Sequence, residues 1–405
     1  MGRFQRQRVP GEEQRATALE LFYDLVFVFA VTQVSHVLLD DLTWRGAGHA
    51  TLVLLVVWGA WNYTTWVTNE LDPDSGVVRL VLLAITLASL LMAVAIPEAF
   101  GERAMLFAAS YVAIQVGRHA FLTFGSAAAG TIERERAGRI LTWFTAAAPL
   151  WIAGALADGP ARAALWGAAL ALDYAAPLVL YWIPGRPRLE SATWDVETAH
   201  FAERFQLFVI IVLGETIVIT GATTSGLALD AATATAFVLA FLSTAALWWL
   251  YFDYVARIAT RRLELAPDRT TLARDGYTYL HVVMVAGVIV AAVGDELVLA
   301  HPTDELPAAE LAAVVGGPAL YLVGHALFRL RMTGSPSWKR LAGAGACIAV
   351  GGLGAVVPAL AVSGLVVLVL LGVIAAERIA SARRHARGEP SPLERLDVSV
   401  SRGNE

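Results

Sequence analysis

Residues 18–36 read ALELFYDLVFVFAVTQVSH. The run is apolar enough to span a bilayer, yet it carries two carboxylates, Glu20 and Asp24, in its first two turns. Their spacing of four puts both on one face of a helix. Ionisable groups at bilayer depth are costly and persist only where they are solvated, paired or used. The segment therefore raises two expectations: a helical membrane protein, and a polar interior that receives the acids.

The rest of the chain agrees with the first. Of 405 residues, 57% are hydrophobic and 16% charged, with a mean hydropathy of +0.60. Soluble domains average about 45–50% apolar and about 25% charged residues. Apolar runs of about 20 residues recur along the whole length, each long enough to cross a hydrocarbon core of about 30 Å. The expected fold class is all-α, a polytopic integral membrane protein. Cys347 is the single cysteine, which excludes a disulfide or a thiolate metal site within the chain. Residues 1–16 are polar and Arg-rich and no small-x-small cleavage site follows, so 18–39 reads as a permanent span rather than a leader.

Twelve spans are predicted, at 17–39, 48–68, 77–97, 104–124, 138–157, 162–183, 199–221, 231–255, 276–299, 308–330, 339–359 and 361–380. With this division, 25 of the 30 basic residues fall on one side, from Arg3 and Arg15 before the first span to Arg383 and Arg384 after the last. The other side has Arg45, Arg103 and Arg162, while Arg118 and Arg204 lie within helices. Lys and Arg accumulate on the cytoplasmic face, which puts both termini inside. The longest loop, 256–275, has room for a short amphipathic helix, and the charged tail 381–405 is expected to be disordered.

The second half echoes the first. ELFYDLVFV (20–28) aligns with ERFQLFVII (203–211), WNY (61–63) with WLY (249–251), and AIPEAF (95–100) with VGDELV (293–298). RHAF (118–121) aligns with GHAL (324–327), and Asp173 with Glu377, at offsets of 183, 188, 198, 206 and 204 along the series. The expected organisation is a cytoplasmic segment 1–16, a six-helix repeat 17–183, a linker 184–198, a second repeat 199–380 and the tail 381–405. An even number of helices per copy makes the repeats parallel, about an axis along the membrane normal.

ELFYDLVFVFAVTQVSH, the Trp-rich segment ending WVTNELD (66–72), HFAERFQLFVIIVLGETIV (200–218) and LWWLYFDY (247–254) together resemble the bacterial low-temperature-requirement A family. The resemblance covers nearly the whole chain. It implies a multi-pass protein of the bacterial cytoplasmic (inner) membrane, linked by name to growth in the cold. It brings no established substrate, reaction or catalytic residue. FYDLVFVFAVT (22–32) is also similar to the Phe-Ser-Asp signature of a bacterial and lysosomal potassium-channel family, with Tyr23 in place of the Ser and Ala18 in place of the preceding Arg.

The orientation gives each polar side chain a depth. Asp24 lies ~10 Å in at 1.5 Å rise per residue, with Glu20 a turn nearer the cytoplasm. His200, Glu203 and Arg204 fall in the cytoplasmic third of the seventh span. Asn62, Arg118, His119, Asp173, Asp253, His281 and His325 fall in the cytoplasmic half of theirs. Glu215 breaks the pattern, lying about 22 Å beyond His200 by helical rise. These thirteen residues are the candidates for a polar cavity or proton-coupling set. Other readings stand beside this one. Glu20 and Glu203 suit helix N-termini, where the dipole favours an acid. His281 and His325 suit interhelical hydrogen bonds, and the Trp residues suit packing or an interface belt.

No H-E-x-x-H, phosphate-binding G-x-x-x-x-G-K-[ST] loop or nucleophile elbow occurs, and no basic aromatic patch suits nucleic acid. The expectation is therefore a transporter-like protein without a cofactor, whose partners are the lipid bilayer and a small solute or ion. An intramembrane lipid-modifying enzyme, a cation channel and a non-transporting stress-response protein are the alternatives. Substrate and oligomeric state are left open.

Overall fold

The computed structural model describes Phe4 and residues 14–194, 196–253, 255–354, 356–391 and 393–394. Most of the N-terminal segment 1–16 and the tail from 395 lie outside the described residues. The described chain is helical: α1 Ala18–Asp40, α2 Trp44–Thr68, α3 Gly76–Ala95, α4 Ala104–Ala120, α5 Ile132–Leu156, α6 Gly159–Leu178 and α7 Thr198–Ser225. There follow α8 Ala231–Phe252, α9 Val255–Glu264, α10 Arg269–Ala273, α11 His281–Ala300, α12 Ala308–Thr333, α13 Trp338–Gly351 and α14 Ala359–Ala386.

Each predicted span has a helix, and nine segments among the described residues are long and apolar enough to cross a membrane. The three left out of the expected twelve are α4, α6 and α13. α4 has 17 residues and gives way to a π-helical turn at Phe121–Ser126, and α13 has 14. α6 sets Arg162 and Asp173 among Ala and Gly. α9 is a short helix in the loop after the eighth span, which had room for one, and one boundary differs from expectation: α14 runs through Ala386 into the predicted tail. Arg383, Arg384 and His385 stand in the last turn of α14, where cations favour the helix dipole.

Local signals start the helices where they begin. Thr17 and Glu20 form a reciprocal capping box on α1, satisfying two otherwise orphaned donors. Thr43, Thr131 and Asp230 accept backbone N–H bonds at the starts of α2, α5 and α8.

The chain divides into two compact units, Met1–Arg204 and Phe205–Glu405. In the first, α1 packs on α2 and α3, and α3 to α6 pack consecutively, with α2 also against α4 and α6. Its surface is inverted relative to a soluble protein. Leu21, Phe22, Leu25 and Phe29 of α1 face outward, while Glu20, Asp24 and Ser35 face in. Such a distribution suits a lipid surround, in which polar groups must be satisfied internally.

In the second unit α11 and α12 approach through glycine. A Cβ on Gly317 would stand 2.3 Å from the Ala291 amide nitrogen, and one on Gly287 2.4 Å from that of Tyr321. Gly294 and Gly324 continue the contact against Val314 and Met284. Small residues allow such backbone approach, the usual source of packing energy between helices in lipid. The chain is a multi-pass helical membrane protein.

Candidate functional site

The two acids of α1 meet two bases of α7. Nε2 of His200 lies 2.9 Å from Glu20 Oε1, and Arg204 Nη2 donates to Asp24 Oδ1 at 2.7 Å. All four side chains are at most 1% exposed. Both partnerships span 180 residues, so the spacing of four on α1 matches the spacing of four on α7. Two successive rungs with the same offset require the helices to run in the same direction. The opening segment keeps its carboxylates because a second segment supplies their partners.

The lower rung has a defined proton arrangement. Asn69 Oδ1 accepts from the Glu197 amide N–H at 2.9 Å, and Nδ2 donates to the Glu197 carbonyl at 3.0 Å. This two-point clamp fixes which end of the amide is the donor. Nδ2 also lies 3.1 Å from His200 Nδ1, which must then accept. The remaining nitrogen, Nε2, carries the proton and donates it to Glu20. Glu20 further accepts from the Thr17 amide and hydroxyl, both at 2.9 Å. Glu203 lies outside the pair, accepting from the Ala16 amide at 2.9 Å. Glu20 and Glu203 thus both attend the N-terminus of α1, and Glu20 has a second role as partner of His200.

At the upper rung, Asp24 Oδ1 also accepts from Trp61 Nε1 at 2.8 Å, and the Arg204 guanidinium lies 6.0 Å from a Trp61 ring centroid. Deeper in the same unit, Arg118 Nη1 donates to Thr64 Oγ1 at 2.7 Å and to the Ala60 carbonyl at 3.3 Å, and Nη2 donates to Gln115 Oε1. Tyr23 donates to Thr64 at 2.9 Å. Asp173 Oδ2 accepts from the Tyr111 hydroxyl at 3.1 Å and from Trp151 Nε1 at 3.2 Å. His119 Nδ1 lies 2.9 Å from the Gln115 carbonyl, which only a donor can satisfy, and its ring packs against Tyr63 and Phe144. Asn62 is buried. The structure thus gathers Glu20, Asp24, Arg118, His119, Asp173, His200 and Arg204 inside the first unit.

The remaining candidates belong to the second unit and have separate surroundings. Glu215 is fully buried beside Thr216, whose hydroxyl lies 2.7 Å from that of Thr244. His281 donates through Nδ1 to the Gly276 carbonyl at 3.1 Å and accepts from Tyr251 at Nε2, 2.9 Å away. It is a satisfied interhelical link. His325 is fully buried between Tyr251 and Tyr321, and neither ring nitrogen has a hydrogen-bond partner among the described residues. Asp253 sits at the end of α8 in a surface pair with Arg378, its side chain 41% exposed. It stays clear of the buried set because α8 ends there.

Asn69, Gln115, Tyr111, Trp61, Trp151 and Thr64 complete the network. Sequence reasoning did not select them as site residues, since neutral polar side chains in an apolar run are common. Asn69 lay within the quoted WVTNELD, and Tyr111, Gln115 and Arg118 follow a spacing of four and three that a search for a polar helical stripe would find. Among the described residues no group of three His, Cys, Asp or Glu could hold a metal ion.

A bundle of apolar helices that buries acid–base pairs is an integral membrane protein with a polar interior. The profile of the bacterial low temperature requirement A protein (LtrA) matches residues 15–375, and the chain belongs to that family. It is 37% identical over 313 residues to an uncharacterized protein of Rhizobium meliloti (strain 1021), covering 77% of this chain and 76% of that one. No solved structure matches.

Proposed function

We propose that the chain is a transporter-like protein of the bacterial inner membrane, moving a small solute or ion coupled to protons. Its termini are cytoplasmic in this reading, and twelve helices form two parallel six-helix repeats. The observation that carries it is the Glu20–His200 pair, a buried acid and base sharing one proton whose position Asn69 dictates. A proton held between a carboxylate and an imidazole is exchangeable, whereas a purely structural link needs no titratable partner on both sides. The Asp24–Arg204 rung holds the two helices in register while the proton is exchanged. Glu215, about 16 Å along α7 from Arg204, is the second proton site in this reading.

Recurrences within the two units support the repeat. Tyr63 meets His119 edge-on at 6.0 Å between ring centroids, and Tyr251 meets His325 at 5.5 Å, the residues that the WNY/WLY and RHAF/GHAL alignments equate. The packing of α3 on α4, α4 on α5 and α5 on α6 recurs as α11 on α12, α12 on α13 and α13 on α14. Applying the offset of 183 to the Glu20–His200 contact gives Thr17 with Glu203, and Glu203 binds the amide of Ala16, one residue away.

The test is reconstitution of the full chain in proteoliposomes carrying an internal pH dye, with an imposed pH gradient and added potassium, chloride or acetate. The expected result is proton movement that depends on one of these and is abolished by Glu20→Gln or Glu215→Gln. Proton leakage equal to that of protein-free vesicles under every condition would sink the proposal. Cysteines introduced at 5 and 395 should resist labelling from outside intact cells.

A further inference from the structure

We infer that Arg118 and Gln115, on the inward face of α4, form a binding site for a small monovalent anion, a halide or a carboxylate. As a statement about cargo it rests on the transport reading above; as a statement about binding it stands on the geometry alone.

Arg118 is 1% exposed and permanently charged, because a guanidinium does not deprotonate in proteins. Among the described residues every partner it has is neutral: the Ala60 carbonyl, the Thr64 hydroxyl, the Gln115 side-chain oxygen and the Tyr63 ring, its centroid 5.7 Å from the guanidinium carbon. No carboxylate of the described residues lies within ion-pair distance of it. The three buried acids of the unit bond elsewhere, Glu20 with His200, Asp24 with Arg204 and Trp61, and Asp173 with Tyr111 and Trp151, while Asp24 Oδ2 and Asp173 Oδ1 have no hydrogen-bond partner among the described residues. A buried ion needs a compensating charge as well as hydrogen bonds, since neutral dipoles alone leave most of its desolvation cost standing.

The unused donors point the same way. Arg118 Nε has no hydrogen-bond partner, and neither does Nε2 of Gln115, a residue 1% exposed. The Gln115 amide lies toward the Tyr111 hydroxyl, which donates to Asp173 and whose oxygen is free to take one of the two amide N–H groups. Because Gln115 Oε1 accepts from Arg118, its NH2 group must face away as a donor. Arg118 Nε–H and at least one N–H of the Gln115 amide thus have no acceptor among the described residues. Across from them α2 has a glycine. A Cβ on Gly59 would stand 3.3 Å from the Tyr111 hydroxyl and 3.9 Å from Gln115 Nε2, so glycine lets α2 lie close against both side chains. A single negative charge with compact acceptors matches this donor set. A metal cation or an amine would meet the like charge of Arg118.

Binding is measured on purified full-length protein in detergent, by equilibrium dialysis with radiolabelled chloride and, separately, acetate. The expected result is saturable binding of at least one, weakened about tenfold or more by Arg118→Gln and by Gln115→Leu, in line with losing a hydrogen bond to a charged group. Asp253→Asn, at the exposed end of α8, should leave binding unchanged. Chloride alone identifies a halide site; acetate competing with chloride identifies one that takes carboxylates. If Arg118→Gln does not fold, Gln115→Leu carries the test. Saturable binding of neither anion, or binding unaltered in Gln115→Leu, overturns the site. Since no gradient is present, binding without flux would refute transport and leave this site standing, and flux without binding would do the reverse.

Discussion

Arg118 and Arg340 are both buried guanidinium groups, one in each unit, and they are satisfied in opposite ways. Arg340 Nε and Nη2 donate to the two oxygens of Glu377 at 2.9 and 3.0 Å, and Nη2 also reaches the Leu250 carbonyl at 3.0 Å. This is a bidentate fork matched to a carboxylate, the strongest geometry available to arginine. Arg118 has two backbone or hydroxyl oxygens and an amide, and no acid among the described residues. The contrast extends to the units. The second is closed by glycine-mediated contact of α11 and α12 and uses its buried arginine as a structural tie. The first places buried charge in two acid–base rungs, with Arg118 and Asp173 bonded to neutral groups. The difference teaches that burial of charge is not uniform in this chain: one buried guanidinium is closed by a carboxylate, and the other has none among the described residues.

The comparison can be broken first at its structural end. Gly317→Leu sets a side chain where even a Cβ would lie 2.3 Å from backbone, so α11 and α12 must separate. Overpacking of this kind costs about 3 kcal/mol or more, and folded protein recovered after size-exclusion should fall sharply. Gly316→Leu, whose Cβ meets nothing within 4 Å, should not reduce it.

Next in size is the upper rung. Asp24→Asn leaves the Arg204 charge buried without its counter-ion, a loss of about 3–5 kcal/mol. Thermal unfolding should show it, and adding Arg204→Gln should restore part of the stability. If the double variant is no better than Asp24→Asn alone, the pair is not coupled. Asn69→Leu has a smaller effect on stability and a distinct one on function. Removing the clamp frees His200 to change tautomer, so the pH profile of proton flux should shift while expression is retained. An unchanged profile would reduce Asn69 to a helix-linking amide.

Tyr251→Phe removes one hydrogen bond to His281, worth about 1 kcal/mol. Proton flux should persist, because both nitrogens of His281 are occupied in an interhelical link; loss of flux would give His281 a part in the proton path. The smallest effect concerns Asp230, the exposed cap of α8, whose carboxyl is held below the ordinary aspartate range by the Thr233 backbone N–H. A group with a depressed folded value contributes stability above its unfolded pKa of about 3.9, and that contribution disappears as pH falls through the lower folded value. Hydrogen exchange at the first turn of α8 should therefore quicken at low pH relative to Asp230→Asn, which caps without titrating.

Much of this protein is written locally. Hydropathy and run length mark the helical segments, because crossing hydrocarbon demands about 20 apolar residues whatever the neighbours do. The four-residue spacing of Glu20 and Asp24 declares that both acids need partners on one side of α1, and HFAERF shows a base at the same spacing. Shorter elements were less legible. The lengths of α4 and α13 depend on a π-helical turn and on paired glycines, whose effect is decided by packing. Asn69 could not be distinguished from any other amide until the Glu197 backbone fixed its orientation. Sequence sets Arg118 inside a span and Arg340 at the start of one, beside Lys339, yet only the fold assigns a carboxylate to the second and none among the described residues to the first. The amino-acid sequence by itself determined that this chain is a helical membrane protein with charge inside it, because hydrophobic length and helical periodicity act over neighbouring residues. Which charges meet was decided by tertiary structure alone, because partners 180 residues apart are chosen by the packing of helices and not by anything either segment carries.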